Sequence, residues 1–202
     1  MTMPGQQQLD LIDRTLDNLR FIDRYKGEPD VWEVTQIINS FLSVIAHPKD
    51  QLFSLSQIRY VLLTDPVVRE SGLPTIEISS GYDSEEPRTL GRLLTLLRNG
   101  IAHGNIDLLN EAELLARRPD KPRCPGLPRD DIAGIEIWNQ DRDRRTWGTV
   151  LTILEMRQCL EAIAVLAQRS EYARTRANRK LGGRKEDSPE ARELLANRSL
   201  SR

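Results

Sequence analysis

Thr89-Leu90-Gly91-Arg92-Leu93-Leu94-Thr95-Leu96-Leu97-Arg98-Asn99-Gly100-Ile101-Ala102-His103-Gly104 is the stretch on which the reading of this chain turns. Leu90, Leu93, Leu94, Leu97 and Ile101 recur at steps of three and four, the spacing of one buried helix face. At about 100° per residue, Arg92, Thr95, Asn99 and His103 gather on the opposite side, with Arg98 at their margin. The helix is expected to start between Pro87 and Thr89 and to end near His103, where Gly104 supplies a C′ residue. An arginine, an amide and an imidazole thus meet at the end of an otherwise apolar helix. His103 is one of only two histidines in the chain, so acid–base chemistry near neutral pH has few other carriers.

Working outward, Leu9, Ile12, Leu16, Leu19 and Ile22 predict an earlier helix that stops at Lys26-Gly27-Glu28-Pro29. Asp30 and Glu33 have capping-box spacing for the next one. That helix buries Val34, Ile37, Ile38, Phe41, Leu42 and Ile45, and ends at His47-Pro48. Its other face carries Thr35, Asn39 and Ser43 at i+4 steps with Gln36 beside them, an uncharged polar stripe where Glu and Lys usually stand. Leu55 to Leu63 is expected to form a short helix, and Gly72 to Pro87 a loop. Further on, Ile106–Leu109 and Ile132–Trp138 read as two strands of a hairpin, separated by a polar, Pro-rich insertion. Trp147–Leu151 is either a third strand or the lead-in to a last helix, near Thr152 to Arg169, that faces Ile153, Met156, Leu160, Ile163, Ala164 and Ala167 inward. The expected fold is all-α: a four-helix up-and-down bundle with a small β-hairpin insertion before the last helix. The helical domain is expected over residues 7–170, and a polar, Arg-rich tail over 171–202. From Arg169 onward the chain has ten Lys or Arg against five Asp or Glu, a local excess of positive charge.

Composition narrows the function classes. The net charge of the 202-residue chain is -1, so any nucleic-acid contact must use a local patch. Two cysteines, Cys124 and Cys159, are too few for a disulfide framework or a cysteine metal site. No Gly-rich phosphate loop, nucleophile elbow or His/Cys cluster of metal-binding spacing occurs, so neither a cofactor nor a metal is expected. The Glu85-Glu86 and Asp130-Asp131 pairs read as solvated charge. The start lacks an apolar signal segment and no apolar run reaches the ~20 residues of a membrane span. A cytoplasmic protein with no membrane partner is expected.

The plainest account of Arg98 and His103 is that of cations at a helix C-terminus, favoured by the macrodipole. Three observations weigh against it: Asn99 is a poor helix former one turn before the end, a second helix offers a matching polar face, and the chain has no other credible site.

A helix ending in Arg-Asn-x-x-x-His, in this order of helices, resembles the HEPN superfamily and its R-x4–6-H signature. Thr35-Gln36-Ile37-Ile38-Asn39-Ser40 together with Leu97–Asn105 is similar to a bacterial and plasmid-borne group of HEPN nucleases. The resemblance implies a HEPN-like bundle and a metal-independent endoribonuclease, of toxin–antitoxin or phage-defence type, working on RNA as a homodimer whose motif helices meet across a two-fold axis. Arg98, Asn99 and His103 are then the expected catalytic residues, with Thr35, Gln36, Asn39 and Asn105 on the substrate. The products implied are a 2′,3′-cyclic phosphate and a 5′-hydroxyl. An antitoxin is among the implied partners, but Asn105 stands where HEPN toxins controlled by a nucleotidyltransferase carry tyrosine, which argues against that form of control. The alternative is a non-catalytic HEPN module that binds RNA or a partner protein, with Arg98 and Asn99 fastening an interface.

Overall fold

Six helices and three strands follow one another among the residues described in the computed structural model, 4–25, 33–46, 60–79, 86–120 and 132–186. They are α1 (Pro4–Arg24), α2 (Glu33–Ala46), α3 (Pro66–Glu70), α4 (Leu90–Ala102), β1 (Ile106–Asn110), α5 (Glu111–Arg117), β2 (Ile132–Asp141), β3 (Arg144–Thr152) and α6 (Ile153–Glu186). The chain divides into two compact units, Met1–Ala167 and Gln168–Arg202. The first holds every element up to the first half of α6. The second contains the remainder of that helix, through Glu186.

The strands form one antiparallel sheet in the order β1-β2-β3. An all-α bundle with a peripheral hairpin is therefore not the fold; the protein is mixed α/β, and its sheet belongs to the core. The physical reason lies in the inward side chains of the strands. Ile135 and Ile137 of β2 are fully buried, as are Trp147 and Leu151 of β3, and all four join Phe41 of α2, Leu93 and Leu97 of α4 and Met156 of α6 in one cluster. The sheet fills a layer that an all-helical reading would give to helices. Its opposite face carries a smaller cluster, Leu109, Leu114, Ala133 and Val150, under α5.

Local signals explain the termini. At α3, Asp65 accepts a hydrogen bond from the Val67 N–H and Pro66 opens the helix. At α5, Asn110 and Glu113 form a complete capping box. A second such reciprocal pair, Thr152 and Glu155, opens α6. The β2–β3 connection is a tight turn through Arg142, whose φ of 53° is left-handed. So Arg142-Asp143 is the tip of a hairpin. Tyr60 is in a 3₁₀ turn, but Val61–Leu63 are not helical: Leu62 makes an antiparallel bridge to Thr89 at the start of α4. The capping role of Asp30, the helix end at His47-Pro48, residues 55–59, Cys124 and residues 187–202 lie outside the described residues. Among those described, no helix is long and apolar enough to cross a membrane.

Candidate functional site

The functional candidates ride on α4, and both of its ends are fixed by hydrogen bonds. The Thr89 hydroxyl accepts from the Arg92 N–H at 3.2 Å, capping the start. At the other end His103 is the C-cap and Gly104 turns left-handed with φ +70°. The Gly104 N–H then donates to the Ile101 carbonyl at 3.0 Å and the Asn105 N–H to the Gly100 carbonyl at 2.9 Å. That pair of bonds is a Schellman motif, which satisfies carbonyls that the helix end would otherwise orphan. The His103 N–H donates to the Asn99 carbonyl at 3.1 Å, so these two residues stand one turn apart on the same side.

The helix end is also tied to the sheet. The Asn105 carbonyl accepts from the Trp138 N–H at 3.2 Å, and Asn139 Nδ2 donates to the Leu96 carbonyl at 2.9 Å. Gly100 lets the two elements touch: a Cβ there would lie 2.5 Å from Ile137 Cγ2 and 2.8 Å from the Trp138 carbonyl oxygen. A glycine inside a helix costs about 1 kcal/mol relative to alanine. Here it is needed for the close approach.

On this frame the side chains differ in exposure. His103 is exposed, while Asn99 and Arg98 are half-buried. The Arg98 Nε is buried with no hydrogen-bond partner among the described residues. A desolvated guanidinium N–H without an acceptor is costly unless something else supplies one. An anion entering this helix end would do so, and charge-assisted bonds from arginine to phosphate are among the strongest available.

Thr35, Gln36 and Asn39 lie exposed on α2, which packs its apolar face beside α4. Asn105 is half-buried, with both of its backbone groups engaged in the bonds just described. Among the described residues, no hydrogen bond joins the side chains of Thr35, Gln36 or Asn39 to those of Arg98, Asn99 or His103. The helix end thus assembles Arg98, Asn99, His103 and Asn105 in one short segment. The α2 stripe remains a separate polar face.

Sequence reading passed over two contributors. Gly100 and Asn139 set the position of the helix end; the signal for the first was a glycine inside a helical pattern, and nothing in the sequence marked the second. Trp138 also stands at this helix end: the Arg145 guanidinium covers its ring at 4.0 Å from the centroid while also reaching Glu136 at 3.4 Å. It stands beside Asn105 through its backbone bond. Cys159, by contrast, is a core residue: burial, and secondarily the charge of Glu155, pushes its thiol up to about 12, which leaves it neutral and inert. Among the described residues no three His, Cys, Asp or Glu side chains converge as a metal site.

The family model described as HEPN pEK499 p136 matches residues 1–172, which include every site residue above. The chain belongs to the HEPN family. This membership points to a nuclease or an RNA-binding module, and it places the Arg98–His103 segment within the matched span. No curated protein and no solved structure matches this HEPN chain.

Proposed function

We propose that this HEPN protein is a metal-independent endoribonuclease in which Arg98, Asn99 and His103 form the reacting group. The observation that carries this reading is the state of Arg98. Its Nε–H is buried and, among the described residues, unpartnered, five residues before an exposed imidazole at the same helix end.

The chemistry follows from the residue types. The imidazole of His103 accepts the proton of a ribose 2′-hydroxyl, whose oxygen attacks the adjacent phosphorus. The bond from phosphorus to the 5′-oxygen breaks, and a protonated imidazole returns a proton to that leaving oxygen. The products are a 2′,3′-cyclic phosphate and a 5′-hydroxyl. Arg98 binds the phosphoryl oxygens and stabilises the negative charge they gain in the transition state. Asn99, one turn from His103, orients the imidazole or a phosphate oxygen.

One motif imidazole per chain is short of the acid and base that such cleavage uses together. A homodimer with the two α4 ends across a two-fold axis provides the second. Thr35, Gln36 and Asn39 then serve as the neighbouring surface for the RNA strand, with Asn105 at the helix end. A nuclease of this kind suits a toxin or phage-defence role.

The test is incubation of purified protein with mixed RNA in EDTA, with His103→Ala and Arg98→Ala alongside the wild type. Cleavage by the wild type that both variants lose supports the proposal. RNA retention on a gel without any cleavage favours a binding module instead.

A further inference from the structure

At the opposite end of α4 from His103 lies a cavity of about 460 Å³, lined by Glu86, Arg88, Thr89, Arg92, Leu96, Thr146 and Trp147. That volume falls in the range of small-molecule sites, roughly 300–1,000 Å³. Two features set it apart from an ordinary surface hollow. Arg88 and Arg92 are both exposed on it, and neither forms an ion pair among the described residues. Trp147, a wall residue only 1% exposed, has its indole N–H buried without a hydrogen-bond partner. The first feature calls for an anion, and the second makes the indole N–H a reporter set in the cavity wall.

We propose that this cavity binds a small phosphorylated ligand of the nucleoside monophosphate class. Arg88 and Arg92 hold the phosphate, which two guanidinium groups suit better than a single cation would. Glu86, on the same wall, accepts from the hydroxyl or amine donors that a nucleoside carries. Leu96 and the part of Trp147 that lines the cavity offer an apolar surface to a base. A phosphate, hydroxyl or amine donors and a flat apolar body occur together in a nucleotide. This site does not use His103, so it stands or falls independently of RNA cleavage.

The experiment is a titration followed at the indole N–H resonances of ¹⁵N-labelled full-length protein. The chain has three tryptophans, and Trp147→Phe identifies the relevant signal. Adenosine monophosphate is expected to shift the Trp147 resonance saturably, and adenosine alone to leave it in place. The double variant Arg88→Gln/Arg92→Gln, altered only at exposed positions, is expected to weaken binding at least tenfold. If a 2′-O-methyl RNA oligonucleotide moves the resonance and the mononucleotide does not, the phosphate comes from a bound strand. No shift with either probe at millimolar concentration overturns the proposal. So does undiminished binding by the double variant, or an equal response to inorganic phosphate.

Discussion

Two arginines on opposite sides of one sheet have contrasting surroundings. Arg118, on the face that α5 covers, is buried and fully engaged: it donates to the Val150 carbonyl at 3.0 Å and lies 3.3 Å from Asp120, 3.5 Å from Glu77 and 4.0 Å from Glu155. Nearby, Glu136 is likewise buried against Arg117 at 3.0 Å and Arg145 at 3.4 Å. Arg98, on α4, which packs against the other face, has a buried Nε–H with no partner among the described residues. A guanidinium surrounded by carboxylates holds a fold together. One left with an unused donor is poised to bind something else, and functional sites are where such unmet polar groups are tolerated. The comparison teaches that at these two sites pairing, more than burial, separates a structural arginine from the one proposed to act on RNA.

The largest effect on stability is expected on the structural side. Arg118→Ala leaves Glu155 buried beside a vacated position and should cost about 3–5 kcal/mol, measured by denaturant unfolding. The activity of the molecules that remain folded should be unchanged.

Gly100→Ala comes next. In most helices that change gains stability, but here the new Cβ meets the backbone of β2, so a loss of about 1–3 kcal/mol is expected, typical of overpacking. Cleavage should fall with it, because the helix end is displaced from the sheet. A stabilised protein would show that the close approach of α4 to β2 is not a constraint.

Cys159 gives a smaller effect with a definite sign. The folded state raises the thiol to about 12, so it favours the protonated form. That stabilisation is complete below the ordinary thiol range and is lost as pH rises from there towards about 12. Melting temperature against pH should therefore fall less steeply in this alkaline window for Cys159→Ala than for the wild type.

How much of this was legible in the sequence differs between the two faces of the sheet. The α4 side was readable because its information is local: five apolar residues at helical spacing, a Thr cap, a Gly turn and the Arg-Asn-x-x-x-His run all lie within sixteen residues. The three strands could be glimpsed in the same way, but their place in the core could not. The pairing of β1 with β2 is non-local, with Leu109 opposite Gly134. Glu136 also breaks the apolar pattern of β2 although it is buried, because Arg117 and Arg145 neutralise it. Without those partners in view, Ile132 to Trp138 reads as a half-exposed hairpin. The α5 helix was marked by Asn110 and Glu113 at capping-box spacing, yet its short length hid it inside what looked like a polar insertion. Arg118 gave no signal at all, since its carboxylates come from Glu77, Asp120 and Glu155, three separate parts of the chain.

On the functional side the expected stability effects are the smallest. His103→Ala, at an exposed position, should change unfolding free energy by no more than about 0.5 kcal/mol, and Arg98→Ala, which removes a buried donor without an acceptor, should not destabilise the fold. Their effect belongs to chemistry. The direct test is cleavage of RNA in EDTA by wild type, Arg98→Ala and His103→Ala, purified identically and shown to be folded. The account predicts wild-type products ending in 2′,3′-cyclic phosphate, with a loss of at least about 100-fold for each variant, the scale of removing a general acid–base or a charge-stabilising donor. Equal cleavage by all three proteins would contradict it.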